Sequence, residues 1–98
     1  MYIVKDRNGS EMKLALEGRL DTLTAPKLED CLNAEFPGLT DLVFDMKDIE
    51  YVSSAGLRVL LMAQKKMNAQ GSMKVVNVND TVMEIFELTG FADLLNIE

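Results

Sequence analysis

The chain of 98 residues contains no histidine. That removes the commonest general base, the commonest zinc ligand and every hydrolytic triad built on an imidazole. Cysteine occurs once, as Cys31, so neither an internal disulfide nor a cysteine metal cluster can form. Leu28, Leu32 and Phe36 share a helical face with Cys31, which favours a small core filler, with a reactive thiol as the lesser alternative. Cations are outnumbered: 10 Lys and Arg against 16 Asp and Glu leave a net charge of −6. Such a balance argues against nucleic acid and against anionic lipid as partners. It is compatible with a basic protein partner and with plain solubility. No apolar run approaches the roughly 20 residues of a spanning helix. The start, Met1-Tyr2-Ile3-Val4-Lys5-Asp6, lacks the charged-then-apolar order of a signal peptide. A cytoplasmic location without direct membrane insertion is therefore expected. No glycine-rich run leads into a Lys-Ser or Lys-Thr pair, so there is no phosphate-binding P-loop.

What remains is a pattern for one compact domain over residues 1–98, with 48% hydrophobic residues. Met12, Leu14 and Leu16 alternate with Lys13, Ala15 and Glu17 as a half-buried strand does, and Tyr2-Ile3-Val4 reads as its short partner. Asn8-Gly9 between them suits a type I′ hairpin turn. Thr22 or Thr24 can cap a helix with Pro26 in its first turn and Leu28, Cys31, Leu32 and Phe36 on its inner face; Pro37-Gly38 stops it. Leu42 to Met46 reads as a central strand with Asp45 near its exit, and Lys47 to Val52 as a polar connection. The next helix runs from Ser54 to Gln70 and ends at Gly71, with Leu57, Leu60, Leu61 and Met67 inward. Arg58, Met62, Lys65 and Lys66 fall on its other side with Val59 close by, a mixture that fits either a docking surface or an ordinary solvated face. Met73 to Val78 is a further strand. Asn79 or Asp80 can cap the following helix, where Thr81 and Glu84 have capping-box spacing. Val82, Ile85, Phe86 and Thr89 form that helix's face and Gly90 closes it; Leu94 to Ile97 adds a last short strand or simply packs. The order β-β-α-β-α-β-α predicts an α/β fold, a mixed β-sheet with α-helices packed on one or both faces.

One place in this pattern combines structure with chemistry. Ser53 and Ser54 stand where strand pattern gives way to helix, and either is a natural N-cap. The first-turn amides and the helix dipole would equally accept a phosphate there. Asp21 and Asp45 lie near strand ends and, with Ser54, can form an acidic pocket around a hydroxyl; each aspartate can also simply cap a turn. Gly56 costs helix propensity, which implies close approach to either a partner or the neighbouring strand. A phosphoaspartate receiver built on Asp45 is a further possibility, with Asp48 and Glu50 near, but the acidic pair expected beside its first strand is missing.

Gly18 to Pro26, Leu42 to Met46 and Tyr51 to Leu60, joined by Leu88-Thr89-Gly90-Phe91, resemble the STAS domain family, and within it the bacterial anti-sigma factor antagonists. The resemblance spans nearly the whole chain. It implies a STAS-like domain that is a switch protein and not an enzyme, with no cofactor and no metal. Such proteins bind an anti-sigma factor that is also a serine kinase, are released when that kinase phosphorylates one serine, and are reset by a serine phosphatase. By motif the acceptor is Ser54, two positions before Gly56, and the partner-binding set is Asp21, Asp45, Ser53, Ser54, Gly56 and Arg58. This chain has Ser53 where aspartate is common and Ala55 where Ser or Thr is common, so Ser53 is the alternative acceptor. The other reading is a constitutive STAS scaffold in a larger signalling or lipid-transport assembly, with Ser54 only a cap. The sequence sets no oligomeric state.

Overall fold

A computed structural model describes residues 1–98. The elements are β1 (Tyr2–Asn8), β2 (Glu11–Leu20), α1 (Ala25–Glu35), β3 (Asp41–Val52), α2 (Ser54–Gln70), β4 (Ser72–Val76) and α3 (Asp80–Thr89), followed by a 3-10 turn, Phe91–Asp93. The four strands lie in the order β1-β2-β3-β4. The β1–β2 pair is an antiparallel hairpin, and β2–β3 and β3–β4 are parallel, so the sheet is mixed as expected. In register, Leu14 lies beside Phe44 and Phe44 beside Val75, while Met12, Leu42 and Met73 form a second buried row. Leu28 and Leu32 of α1, Leu60 and Met67 of α2, and Val82 and Phe86 of α3 complete the same core. Each fully buried Leu or Phe contributes about 1.5–3 kcal/mol relative to exposure. The row Val4, Ala15, Asp45 and Val76 points the other way, so the helices cover one face and the second stays open.

The largest departure from the sequence pattern is the length of β3. Lys47 to Val52, read as a polar connection, is strand. The second half of β2 pairs with it after register shifts between Ala15 and Glu17 and between Gly18 and Arg19. These irregularities break the period of two. Ile49 and Val52 reach the core while Lys47, Asp48, Glu50 and Tyr51 do not, and the alternation that would announce a strand is lost. The opposite error occurs in β4, which stops at Val76 rather than Val78, because Asn77 turns the chain at φ 58° and donates its side-chain amide to Asp45.

Smaller corrections concern turns and faces. β1 is longer than Tyr2-Ile3-Val4, and the hairpin loop is Gly9-Ser10, with positive φ at Gly9 alone. That is the type II′ pattern rather than I′. Thr24 is the N-cap of α1 but gives no side-chain cap bond; Asp21 caps the turn before it, accepting from Leu23 N and Thr24 N. The cap of α3 is Asn79, accepting from Val82 N at 2.9 Å, and no Thr81–Glu84 capping box forms. In α2, Val59 is buried and Leu61 only half-buried, and Gln64 is enclosed at 6% exposure. Gln64 donates to Asn68 Oδ1 at 2.9 Å and accepts from Asn96 N at 3.2 Å. Around that bond the last residues add a stub to β4: Val75 N donates to Asn96 O, and Glu98 N to Val75 O. No helix is long and apolar enough to cross a membrane.

Candidate functional site

The two adjacent serines are not equivalent. Ser53 is the N-cap of α2 in extended backbone (φ −88°, ψ 175°), its Oγ accepting from Gly56 N at 3.3 Å. Its own N–H donates to Leu20 O at 2.9 Å, which fastens the start of α2 to the end of β2. Ser54 is the first residue of the helix, exposed, and its hydroxyl has no hydrogen-bond partner in the chain. The reading of Ser54 as a cap is thereby corrected: Ser53 satisfies the first-turn amide, and Ser54 offers a free hydroxyl at the same terminus.

Gly56 explains why the two segments meet so closely. A Cβ there would lie 2.7 Å from both Leu20 Cγ and Leu20 O, and 3.1 Å from Val52 Cγ1. Of the two explanations open for this glycine, packing on the neighbouring strand accounts for it. The approach also brings the loop after β2 beside α2. In that loop Asp21 Oδ1 accepts from Leu23 N at 3.0 Å and Thr24 N at 3.1 Å, and Arg19 Nε lies 3.7 Å from Oδ2. Desolvation alone would push the Asp21 carboxyl up, but the amides of Thr24 and Leu23, the Thr24 hydroxyl and the Arg19 charge together hold it below the ordinary aspartate value. Arg19 in turn stacks on Tyr51, its guanidinium 4.6 Å from the ring centre.

Asp45 does not join this rim. It sits in the middle of β3, paired with Ala15 and Val76. It lies seven residues before Val52, roughly 20 Å along the strand. The acidic pocket of Asp21, Asp45 and Ser54 therefore does not assemble, because β3 runs on where a loop was expected. The Asp45 carboxylate accepts from Asn77 Nδ2 at 3.1 Å and Lys47 N at 3.1 Å, with Lys13 Nζ at 3.6 Å. Burial raises its pKa, and these bonds and charges, Asn77 first, more than reverse that, so the group is held below its usual range. It works as a clasp at the point where β4 leaves β3. Asp45, Asp48 and Glu50 do not converge as a receiver would need; no group of three acidic side chains does.

Beside Ser54 a groove of about 610 Å³ runs between α1 and α2. Thr22, Pro26 and Glu29 line one wall, and Arg58, Met62 and Lys65 the other. The outer face of α2 noted in the sequence is thus one side of a concave surface. Leu23, 88% exposed in the loop after β2, was missed as a candidate contact; its signal is a lone leucine inside the polar turn Asp21-Thr22-Leu23-Thr24.

The family profile described as STAS domain matches residues 2–98. Among curated relatives, the anti-sigma-B factor antagonist of Bacillus subtilis is 29% identical over 92 residues, covering 93% of this chain and 84% of that protein. BtrV of Bordetella bronchiseptica is 30% identical over 99 residues, covering 99% and 85%. Among solved structures, the anti-sigma factor antagonist SpoIIAA in its unphosphorylated form superimposes with a TM-score of 0.85 at 15% identity, over 99% of this chain and 88% of that one.

Proposed function

This chain belongs to the STAS domain family, and from that premise we propose that it is an anti-sigma factor antagonist working by partner switching. In this reading its partner is an anti-sigma factor with serine kinase activity. The partner moves the γ-phosphoryl group of ATP onto Ser54 Oγ, the hydroxyl proton leaves, and ADP is released; a serine phosphatase later reverses the modification. The chain itself is the regulated component, not an enzyme, and acts in the cytoplasm as one domain. The observation that carries the proposal is the division of labour at the start of α2: Ser53 is engaged as the cap, and Ser54 is exposed and unbonded. The same observation ranks Ser54 above Ser53 as acceptor, since a kinase reaches Ser54 without undoing the helix.

Phosphate adds about −1.5 to −2 charges at neutral pH. It would arrive on a rim that already holds ionised Asp21. The first-turn amides offset part of the repulsion, so the fold tolerates the group. A partner surface fitted to a neutral hydroxyl does not, and an unpaired charge trapped there costs about 2–5 kcal/mol of binding. The contact surface we propose comprises Asp21, Ser53, Ser54 and Arg58, with Gly56 setting the approach of the two segments and Asp45 acting only through the sheet.

The test measures binding of the purified chain to the anti-sigma factor from the same genome, with ATP and without. Ser54→Asp is expected to lose binding, while Ser54→Ala binds and is no longer released on incubation with ATP. Equal binding and equal release for both variants would refute the switch at this residue and leave the constitutive scaffold.

A further inference from the structure

Arg58 is the cation nearest the proposed switch along α2, and the structure gives it nothing to do. It stands four residues after Ser54 on the same helix, the separation at which side chains become neighbours, about 5–6 Å between Cβ atoms. It is exposed, with neither a hydrogen bond nor an ion pair, and it forms part of the α2 wall of the groove. The other cations of this region are placed differently. Arg19 is committed to Asp21 and Tyr51, and Lys65 lies about two helical turns beyond Arg58.

We infer that Arg58 is the intramolecular receiver of the Ser54 phosphate, so that phosphorylation both adds charge at the rim and withdraws the groove's first cation from a carboxylate of the partner. The inference rests on the phospho-switch reading of Ser54 and gives it a second arm. A guanidinium is suited to this, since its fork of N–H donors pairs with phosphate oxygens at two points. The order acidic-then-basic at a spacing of four is also the favourable direction on a helix. Release then has two causes acting together. One is repulsion from Asp21, and the other is loss of an attractive contact, as partner discrimination by charge generally requires.

Phosphoserine encoded genetically at position 54 of the full chain, with Arg58 intact or as Arg58→Gln, provides the test. The second ionisation of the phosphate is followed by phosphorus NMR. Asp21 and Glu29 raise that pKa, and Arg19, Arg58 and Lys65 lower it. With Arg58 present the pKa is expected about half a unit below that of the Arg58→Gln chain, with Arg58→Lys restoring part of the difference. In urea the difference should vanish. Identical native pKa values overturn the pairing, whatever happens in binding. Binding is read separately, on the unmodified chains: Arg58→Gln is expected to hold the anti-sigma factor about tenfold more weakly than Arg58 does. Equal affinity would overturn the withdrawal from the groove. If the phosphorylated chain binds the partner as well as the unmodified one, the partner-switching reading itself fails, and the pKa result remains as a property of the helix alone.

Discussion

At the C-terminal end of α2 the last side chain is spent on the neighbouring loop, whereas at its N-terminal end the first hydroxyl and the cation one turn on are left over. Gln70 donates through Nε2 to both Phe36 O and Leu39 O at 2.6 Å, and Ser72 N donates to Thr40 O at 2.8 Å. Gly71 lies against the Thr40 backbone so closely that any Cβ would collide with it. Its φ of 172° is extended backbone, so the glycine is there for space and not as the left-handed cap that the sequence suggests. The N-terminal end uses the same device, Gly56 against Leu20 O, and the same kind of bond, Ser53 N to Leu20 O. Yet Ser54 and Arg58 remain free. One end of the helix is an anchor, and the other is an anchor carrying an unspent hydroxyl and an unspent cation. Both groups are exposed beside a fixed frame, so each is open to a partner or a modifying enzyme without disturbing the helix.

The sharpest way to break this comparison is to attack the two close approaches. Gly71→Ala meets backbone, which cannot give way, and is expected to cost about 3 kcal/mol or more. Gly56→Ala meets the Leu20 side chain as well as its carbonyl and should cost about 2–3 kcal/mol while also prying the loop after β2 from α2. Urea unfolding reads both, and equal wild-type stability for either variant would mean the helix end is not seated as described. A smaller effect separates the serines. Ser53→Ala removes the cap and should cost about 1 kcal/mol, whereas Ser54→Ala should stay within about 0.5 kcal/mol of wild type. Reversed magnitudes would exchange the roles of the two residues.

The weakest effect concerns the aspartates. Asp21 and Asp45 both have folded pKa values below their unfolded ones, so each contributes stability above the unfolded value of about 3.9 and loses it as pH falls through the folded value. Asp45→Asn is therefore expected to be less stable than wild type at pH 7, by under about 1 kcal/mol, and indistinguishable from it once the pH has fallen below the folded pKa. A gap that persists in acid would place the Asp45 contribution in packing instead of charge.

The sequence made the helices and the buried halves of the strands legible because their periods are regular: Met12, Leu14 and Leu16 alternate, and Leu57, Leu60 and Met67 recur at helical spacing. It located α2 at Ser54–Gln70 because serine and glycine punctuate both ends. It failed where the sheet is irregular. The register shifts opposite Asp48 to Val52 disguised half of β3, and that single error displaced Asp45 into a pocket it does not share. It could not divide Ser53 from Ser54 either, since both residue types cap equally well and only the path of the chain decides which hydroxyl turns inward. Nor did pattern show the groove, which exists only because α1 and α2 lie side by side over the sheet.

The clasp between Gln64 and Asn96 has a bearing on the survival of the protein at high concentration. By holding Asn96 and Ile97 against Val75, it covers the middle of β4, which would otherwise be a bare outer edge of the mixed sheet. A bare edge of that kind is a template on which a second chain can add a strand, and repetition of that addition is how fibrils grow. One enclosed amide in the middle of α2 thus holds in place the segment that covers an edge open to a second copy.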